Sequence, residues 1–359
     1  MKKIAVISVT SNGALLADKL KSKMVGEDYA HFTFFVNEQR NPLHNGSSYS
    51  SIKTLVGEIF TLYDAFVCIM ATGIAVRAIS PHIVDKRTDP AVIVIDEAGQ
   101  FAISLLSGHI GGANELTKKI AAAIGATPVI TTATDIAGKP AADILAVKLN
   151  LKIEPFTNLK TINAAIVNGD SVSFFIDSAL PQYQQYVKRA SALGIHMHKM
   201  EIFEDMQTSF SVLVTDKTLT ERPSLLFLRP PSLAAGIGCR RGTKKEEILM
   251  AIEDACKTIG RSSQSIGIIG SSIVKETEKG LLEALDSFCL KGTFYTNQQL
   301  EHCIYENNLT VSTFVEAQIG VGNVCEAAAI LAAQNSQLLL TKTKYPNITI
   351  AIAQVNCLL

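Results

Sequence analysis

The feature that most constrains this chain is the alternation, through its first 135 residues, of short β-branched runs with longer amphipathic segments. Runs at 3–9, 32–36, 66–70, 91–96, 101–106 and 128–132 read as strands. The segments between them at 13–24, 52–62, 74–79 and 111–124 read as helices. Strands that alternate with helices need crossover connections, so the sheet is expected to be mostly parallel with helices on both faces. The runs at 91–96 and 101–106 are joined only through Glu97, Ala98, Gly99 and Gln100. That link suits a hairpin and makes one edge antiparallel.

The pattern continues more weakly over 136–229, with strands expected at 171–177, 210–216 and 224–228. Pro230 and Pro231 then make a stiff break, and alternation resumes at 233–237, 265–269 and 292–295. A turn at Tyr345, Pro346 and Asn347 separates 337–342 from 347–353 as a closing hairpin. The expected fold is α/β, with mostly parallel doubly wound sheets in separate N-terminal (1–135) and C-terminal (230–359) domains. A smaller α/β middle region (136–229) lies between them in the chain.

Composition narrows the function. The 33 basic and 33 acidic residues cancel, so the net positive charge of a phosphate-backbone binder is missing and nucleic acid is disfavoured. There is no Trp and 6% aromatic residues, which weakens a stacking platform for single strands. The apolar run 4–9 is broken at once by Thr10, Ser11, Asn12 and Gly13, too soon for an export signal. The longest apolar runs, such as 65–71, have strand length, so no membrane partner is expected and a cytoplasmic enzyme is. Seven Cys with no C-x-x-C pair argue against both a disulfide framework and a zinc knuckle.

Polar residues gather where strands end. Thr72 and Gly73 carry a buried run straight into a helix, whose free N–H groups attract carboxylate or phosphate, and Arg77 can add a bidentate contact. Against this, Gly73 could simply allow a turn and Arg77 be a solvated charge. Ser107, Gly108, His109, Gly111, Gly112 and Asn114 follow the run at 101–106 and open a helix. Their glycines suggest backbone that a ligand can approach, with His109 as a general acid or base near neutral pH. A histidine that only bonds a loop carbonyl is the plainer alternative. Lys86 and Asp89 precede one strand, and Thr132 and Asp135 follow another, so four polar strand ends are expected to share one edge and one pocket. None of these spacings is a nucleotide fingerprint.

In the C-terminal part, Gly238, Cys239, Arg240 and Arg241 leave a strand as an anion trap, and Thr243 with Glu246 reads as a capping box. Lys275 occupies an equivalent strand end. Glu326 follows the turn Gly320 to Asn323, beside Cys325, which is more simply packed than reactive.

The segments MATGIAVRAISPH, DKRTDPAVIVID, SLLSGHIGGANEL, VITTATD, GIGCRRGT and GVGNVCEAAA, in this order, resemble the cobalt-precorrin-5A hydrolase family (CbiG) of anaerobic cobalamin biosynthesis. The match is specific at 66–135 and 233–335, and nothing at 136–228 matches motif by motif. The resemblance implies opening of the δ-lactone of cobalt-precorrin-5A and release of acetaldehyde, giving cobalt-precorrin-5B. It implies a corrinoid substrate that brings its own cobalt, with no further cofactor and no protein-held metal. For that reaction, local chemistry and not the family makes His109 the expected acid/base, backbone N–H groups near Gly73, Gly111 and Gly112 the expected oxyanion site, and Arg77, Lys86, Arg240, Arg241 and Lys275 the expected holders of carboxylates. Homo-oligomerisation and transient contact with neighbouring pathway enzymes stay open. The rivals are a non-catalytic corrinoid carrier, a metallohydrolase using His82 and His109, and a sugar-phosphate or nucleotide enzyme.

Overall fold

A computed structural model of the chain describes residues 2–24, 30–133, 141–206, 208–290, 292–313, 316–317, 320–335 and 337–355. The chain divides into two compact units, Met1–Lys139 and Pro140–Leu359.

The first unit contains strands β1 (Lys2–Ser8), β2 (Ala30–Asn37), β3 (Ser47–Tyr49), β4 (Ala65–Ile69), β5 (Ala91–Ile95), β6 (Phe101–Leu106) and β7 (Thr127–Val129). Its helices are α1 (Ser11–Met24), α2 (Ile52–Ile59), α3 (Thr72–Ile79) and α4 (Ala113–Ile124). The strands form one sheet in the order β3-β2-β1-β4-β5-β6-β7. β1 to β5 are mutually parallel, so the strand order reverses between β1 and β4. β4 and β5 are buried at every position because both faces are covered, which is why they read as unbroken apolar runs. Val67, Ile69, Ile93 and Ile95 pack beneath α1 and α4. Phe66, Cys68, Val92 and Val94 pack beneath α2 and α3.

The expected hairpin is present: β6 runs antiparallel to β5, and β7 is parallel to β6. The Asp96 carboxylate fixes its turn by accepting from the N–H groups of Ala98 (3.0 Å), Gln100 (3.2 Å) and Phe101 (2.6 Å). This reversal decides where the polar loops fall. The loop after β6 emerges beside the beginnings of β1 and β5, at the end of the sheet opposite to the β4–α3 turn.

The second unit holds two five-stranded sheets. The first has β8 (Lys152–Glu154), β9 (Val172–Ile176), β10 (Met197–Lys199), β11 (Phe210–Val214) and β12 (Leu225–Arg229), with α5 (Ala142–Lys148), α6 (Asn158–Asn168) and α7 (Tyr183–Ala192). Its order is β10-β9-β11-β12-β8, with only β8 antiparallel to its neighbour. The second has β13 (Leu233–Cys239), β14 (Ile266–Ser272), β15 (Gly292–Tyr295), β16 (Leu338–Tyr345) and β17 (Ile348–Gln354). Its helices are α8 (Lys245–Thr258), α9 (Lys279–Ser287), α10 (Asn297–Glu306) and α11 (Val324–Ala333). Its order is β15-β14-β13-β17-β16, with β13, β14 and β15 parallel and β16–β17 the expected terminal hairpin. α8 and α9 cover one face, and the alanine-rich α11 lies on the other. α11 sits so close that a methyl group added at Gly236 would lie 1.9 Å from the Cys325 carbonyl oxygen.

A buried polar network joins the two sheets of this unit. Arg229, 3% exposed, donates from Nε to Glu154 Oε2 at 2.6 Å and from one terminal nitrogen to the carbonyls of Thr215 (2.9 Å) and Lys217 (2.7 Å). Ser262 Oγ donates to the same Glu154 oxygen at 2.8 Å. Asp216 accepts from Ser232 Oγ at 2.7 Å and pairs with Arg261. Every charge in this cluster has a partner, as burial requires.

Candidate functional site

The loop between β6 and α4 holds His109 on a tightly closed turn. Ser107 takes a left-handed backbone (φ 56°), and the N–H groups of Gly112, Ala113 and Asn114 donate to the carbonyls of His109, Ser107 and Gly108 at 3.0, 3.2 and 3.0 Å. Asn114, 5% exposed, is the hub: its Oδ1 accepts from Ser104 Oγ at 2.6 Å and its Nδ2 donates to Thr132 Oγ1 at 3.0 Å. The Ser107 hydroxyl donates to the Asp89 carbonyl at 3.1 Å, and Lys2 Nζ reaches the Gly111 carbonyl at 3.0 Å. His109 is half-buried on this frame. A half-buried imidazole carried on a bonded turn can exchange a proton with a bound molecule.

The glycines here serve the loop itself. A methyl at Gly111 would lie 2.5 Å from Ser107 Cβ, and one at Gly108 would lie 2.8 Å from Asn114 Oδ1. The Gly112 N–H is spent on His109, so it is not the oxyanion donor that the sequence suggested. Asp89, 7% exposed, accepts the Val84 N–H with both oxygens at 3.0 and 3.1 Å. It therefore locks the loop before β5 and offers nothing to a substrate. Lys86 is exposed on that loop. Asp135 lies outside the described residues.

Thr72, Gly73 and Arg77 lie at the other end of the sheet, so the four polar strand ends do not share one edge as expected. The antiparallel β6 and its parallel neighbour β7 carry their following loops to the opposite end, and Lys86 and Asp89 lie there because they precede β5, which is parallel to β4. Thr72, Gly73 and Arg77 instead stand at the reversal point between β1 and β4, where open α/β sheets bind ligands. α3 has no side-chain cap, and the Arg77 guanidinium folds back to 3.5 Å from the ideal Cβ position of the exposed Gly73. Helix dipole and guanidinium thus favour an anion at the same turn. The facing β1–α1 turn, where Thr10 Oγ1 accepts the Gly13 N–H at 3.0 Å, read in the sequence only as the end of an apolar run. Its signal was a Thr-Ser-Asn-Gly string between a strand and a helix.

In the C-terminal sheet, Gly238, Cys239, Arg240 and Arg241 leave β13, and Lys275 follows β14. The Lys275 ammonium pairs with Glu278 Oε2 at 3.0 Å, and Glu278 Oε1 accepts the Gly242 N–H at 2.9 Å. Burial pushes the Glu278 carboxyl up, but the Gly242 N–H and Lys275 outweigh it, and the net shift is downward. Arg240 and Arg241 are exposed; the Arg240 N–H donates to the Asn347 carbonyl at 2.8 Å. The expected Thr243–Glu246 capping box does not form. Gly242 turns left-handed (φ 78°), Thr243 Oγ1 donates to the Arg240 carbonyl at 2.8 Å, and α8 begins at Lys245. Glu326, 7% exposed, accepts from the Lys342 N–H at 2.7 Å and from Asn323 Nδ2. It ties α11 to β16 and is closed to a ligand. Burial pushes the Cys325 thiol up to about 11 and that of Cys239 likewise to about 11, which suits packed cysteines and not thiolate nucleophiles.

Among the described residues no three His, Cys, Asp or Glu side chains gather as a metal cluster, and the His82 ring packs on Phe60 with centroids 5.7 Å apart. No helix among them is long and apolar enough to cross a membrane.

Three family models match in consecutive stretches: cobalamin synthesis G N-terminal at 54–135, cobalamin biosynthesis central region at 140–230, and cobalamin synthesis G C-terminus at 233–353. The chain is 33% identical to a cobalt-precorrin-5A hydrolase of Salmonella typhimurium, covering 97% of each. It is 30% identical to a cobalt-precorrin-5A hydrolase of Priestia megaterium, covering 98% of this chain and 94% of that one. A crystal structure of a cobalamin biosynthesis protein G homolog from Sulfolobus solfataricus aligns over 98% of this chain and 97% of that one, at 22% identity and a TM-score of 0.38. With all three models in order and near-complete overlap with relatives at 30% identity or above, the chain belongs to the cobalamin synthesis G family.

Proposed function

We propose that this chain hydrolyses cobalt-precorrin-5A, opening its δ-lactone and releasing acetaldehyde to give cobalt-precorrin-5B. The observation that carries this reading is the near-full-length similarity to two cobalt-precorrin-5A hydrolases. Cobalt enters with the substrate.

Water adds to the lactone carbonyl, and the ring C–O bond breaks to leave a carboxylate and an alcohol. Loss of the alcohol proton lets the adjacent C–C bond break; acetaldehyde departs, and the macrocycle keeps the electron pair and takes up a proton. Both stages need a group that accepts and returns a proton near neutral pH. His109 fits that role because its turn is fixed by Asn114 and Ser107 while the residue itself is half-buried. We assign oxyanion donation to backbone N–H groups of its loop other than those of Gly112, Ala113 and Asn114, and carboxylate binding to the exposed Lys86 on the loop before β5.

The test is anaerobic incubation with cobalt-precorrin-5A, following aldehyde and corrinoid mass. Release of one acetaldehyde per corrinoid supports the reading. A corrinoid that binds and keeps its mass would instead make the protein a carrier.

A further inference from the structure

We infer that Ile273 and Val274 form an apolar shelf that takes the flat face of the corrinoid, with Arg240 and Arg241 at its rim. The inference rests on the corrinoid reading above and deepens it by naming what recognises the macrocycle itself.

Ile273 and Val274 directly follow β14 and are 39% and 52% exposed. The residues just before them are sealed: Ser271 and Ser272 are each 1% exposed. β13 and β14 are parallel neighbours paired as far as Gly236 beside Gly270, and β14 ends at Ser272, where Ile273 and Val274 open a 3-10 turn. Because the two strands run in the same direction, the exposed apolar pair and the chain that becomes Arg240 and Arg241 leave the sheet at the same end. Directly after the pair, Lys275 is bound to Glu278, which also holds the Gly242 N–H. That link fixes the cationic loop against the turn that carries the pair.

Two adjacent β-branched apolar side chains left in water at the carboxyl ends of parallel strands, where such sheets bind ligands, ask for an occupant. A free phosphate or a small acid would use the arginines and leave the apolar pair wet. A flat macrocycle fringed with carboxylates matches both, since its rings cover the apolar pair and its carboxylates reach the guanidinium groups.

The test is titration calorimetry of the full chain with cobyrinic acid, a polycarboxylate corrinoid, at several salt concentrations. In the double variant Ile273→Ser with Val274→Ser, whose side chains are exposed and whose charge is unchanged, affinity should fall about tenfold while its salt dependence stays that of the unaltered chain. In Arg240→Gln, affinity should fall and the salt dependence should flatten. Binding of the double variant within twofold of the unaltered chain overturns the shelf and leaves the corrinoid reading standing. No binding of cobyrinic acid by the unaltered chain overturns both.

Discussion

The His109 loop and the Arg240–Arg241 loop are both glycine-bearing passages from a strand to a helix, yet they are built on opposite plans. In the first, glycines let the chain pack on itself, Asn114 closes three segments together, and a single histidine is half-buried. In the second, Gly242 has no atom within 4 Å of its would-be Cβ and two arginines stand in solvent. A loop that must hold one proton-transfer group in register needs preorganised backbone. A loop that holds flexible carboxylates needs reach and charge.

Alanine at the two glycines should expose this difference most strongly. Gly111→Ala drives a methyl into Ser107 and should cost about 3 kcal/mol of stability, whereas Gly242→Ala meets only the left-handed backbone penalty of about 1 kcal/mol. Thermal unfolding of both variants checks the ratio; equal losses would mean that the first loop is as loose as the second. Asn114→Ala strands the hydroxyls of Ser104 and Thr132 and should cost about 2 kcal/mol, with turnover lowered as His109 loses its frame. A normal rate in that variant would separate the hub from the chemistry.

The smallest effect is one of acidity in the second loop. The Glu278 carboxyl titrates below its ordinary value of 4.5 when folded, so its contribution is present above that pH and is lost as pH falls through the folded value. Acid unfolding followed by tyrosine signals should show a pH-dependent component below 4.5 that Glu278→Gln abolishes.

Much of this architecture was legible in the chain. The unbroken apolar runs that became β4 and β5, the hairpin through Gly99 and the terminal hairpin followed from local patterning alone. The three-residue strands β3, β8 and β10 were not legible, because three residues carry no period, whereas the equally short β7 lies where the β-branched run 128–132 was read. The site was harder to read. The hairpin was expected, but its consequence, that β6 delivers His109 to the end of the sheet away from Thr72 and Gly73, belongs to topology and not to any local motif. Asp89 and Glu326 looked like ligand groups because a sequence shows a carboxylate without its partners, here the N–H groups of Val84 and Lys342. Ile273 and Val274 went unremarked because exposure of an apolar pair appears only once the strand before it is buried.

The role given to His109 is tested most directly by steady-state kinetics on cobalt-precorrin-5A with His109→Asn. The account predicts that His109→Asn lowers kcat at least about 10²-fold with KM little changed. Undiminished acetaldehyde release by His109→Asn would contradict it.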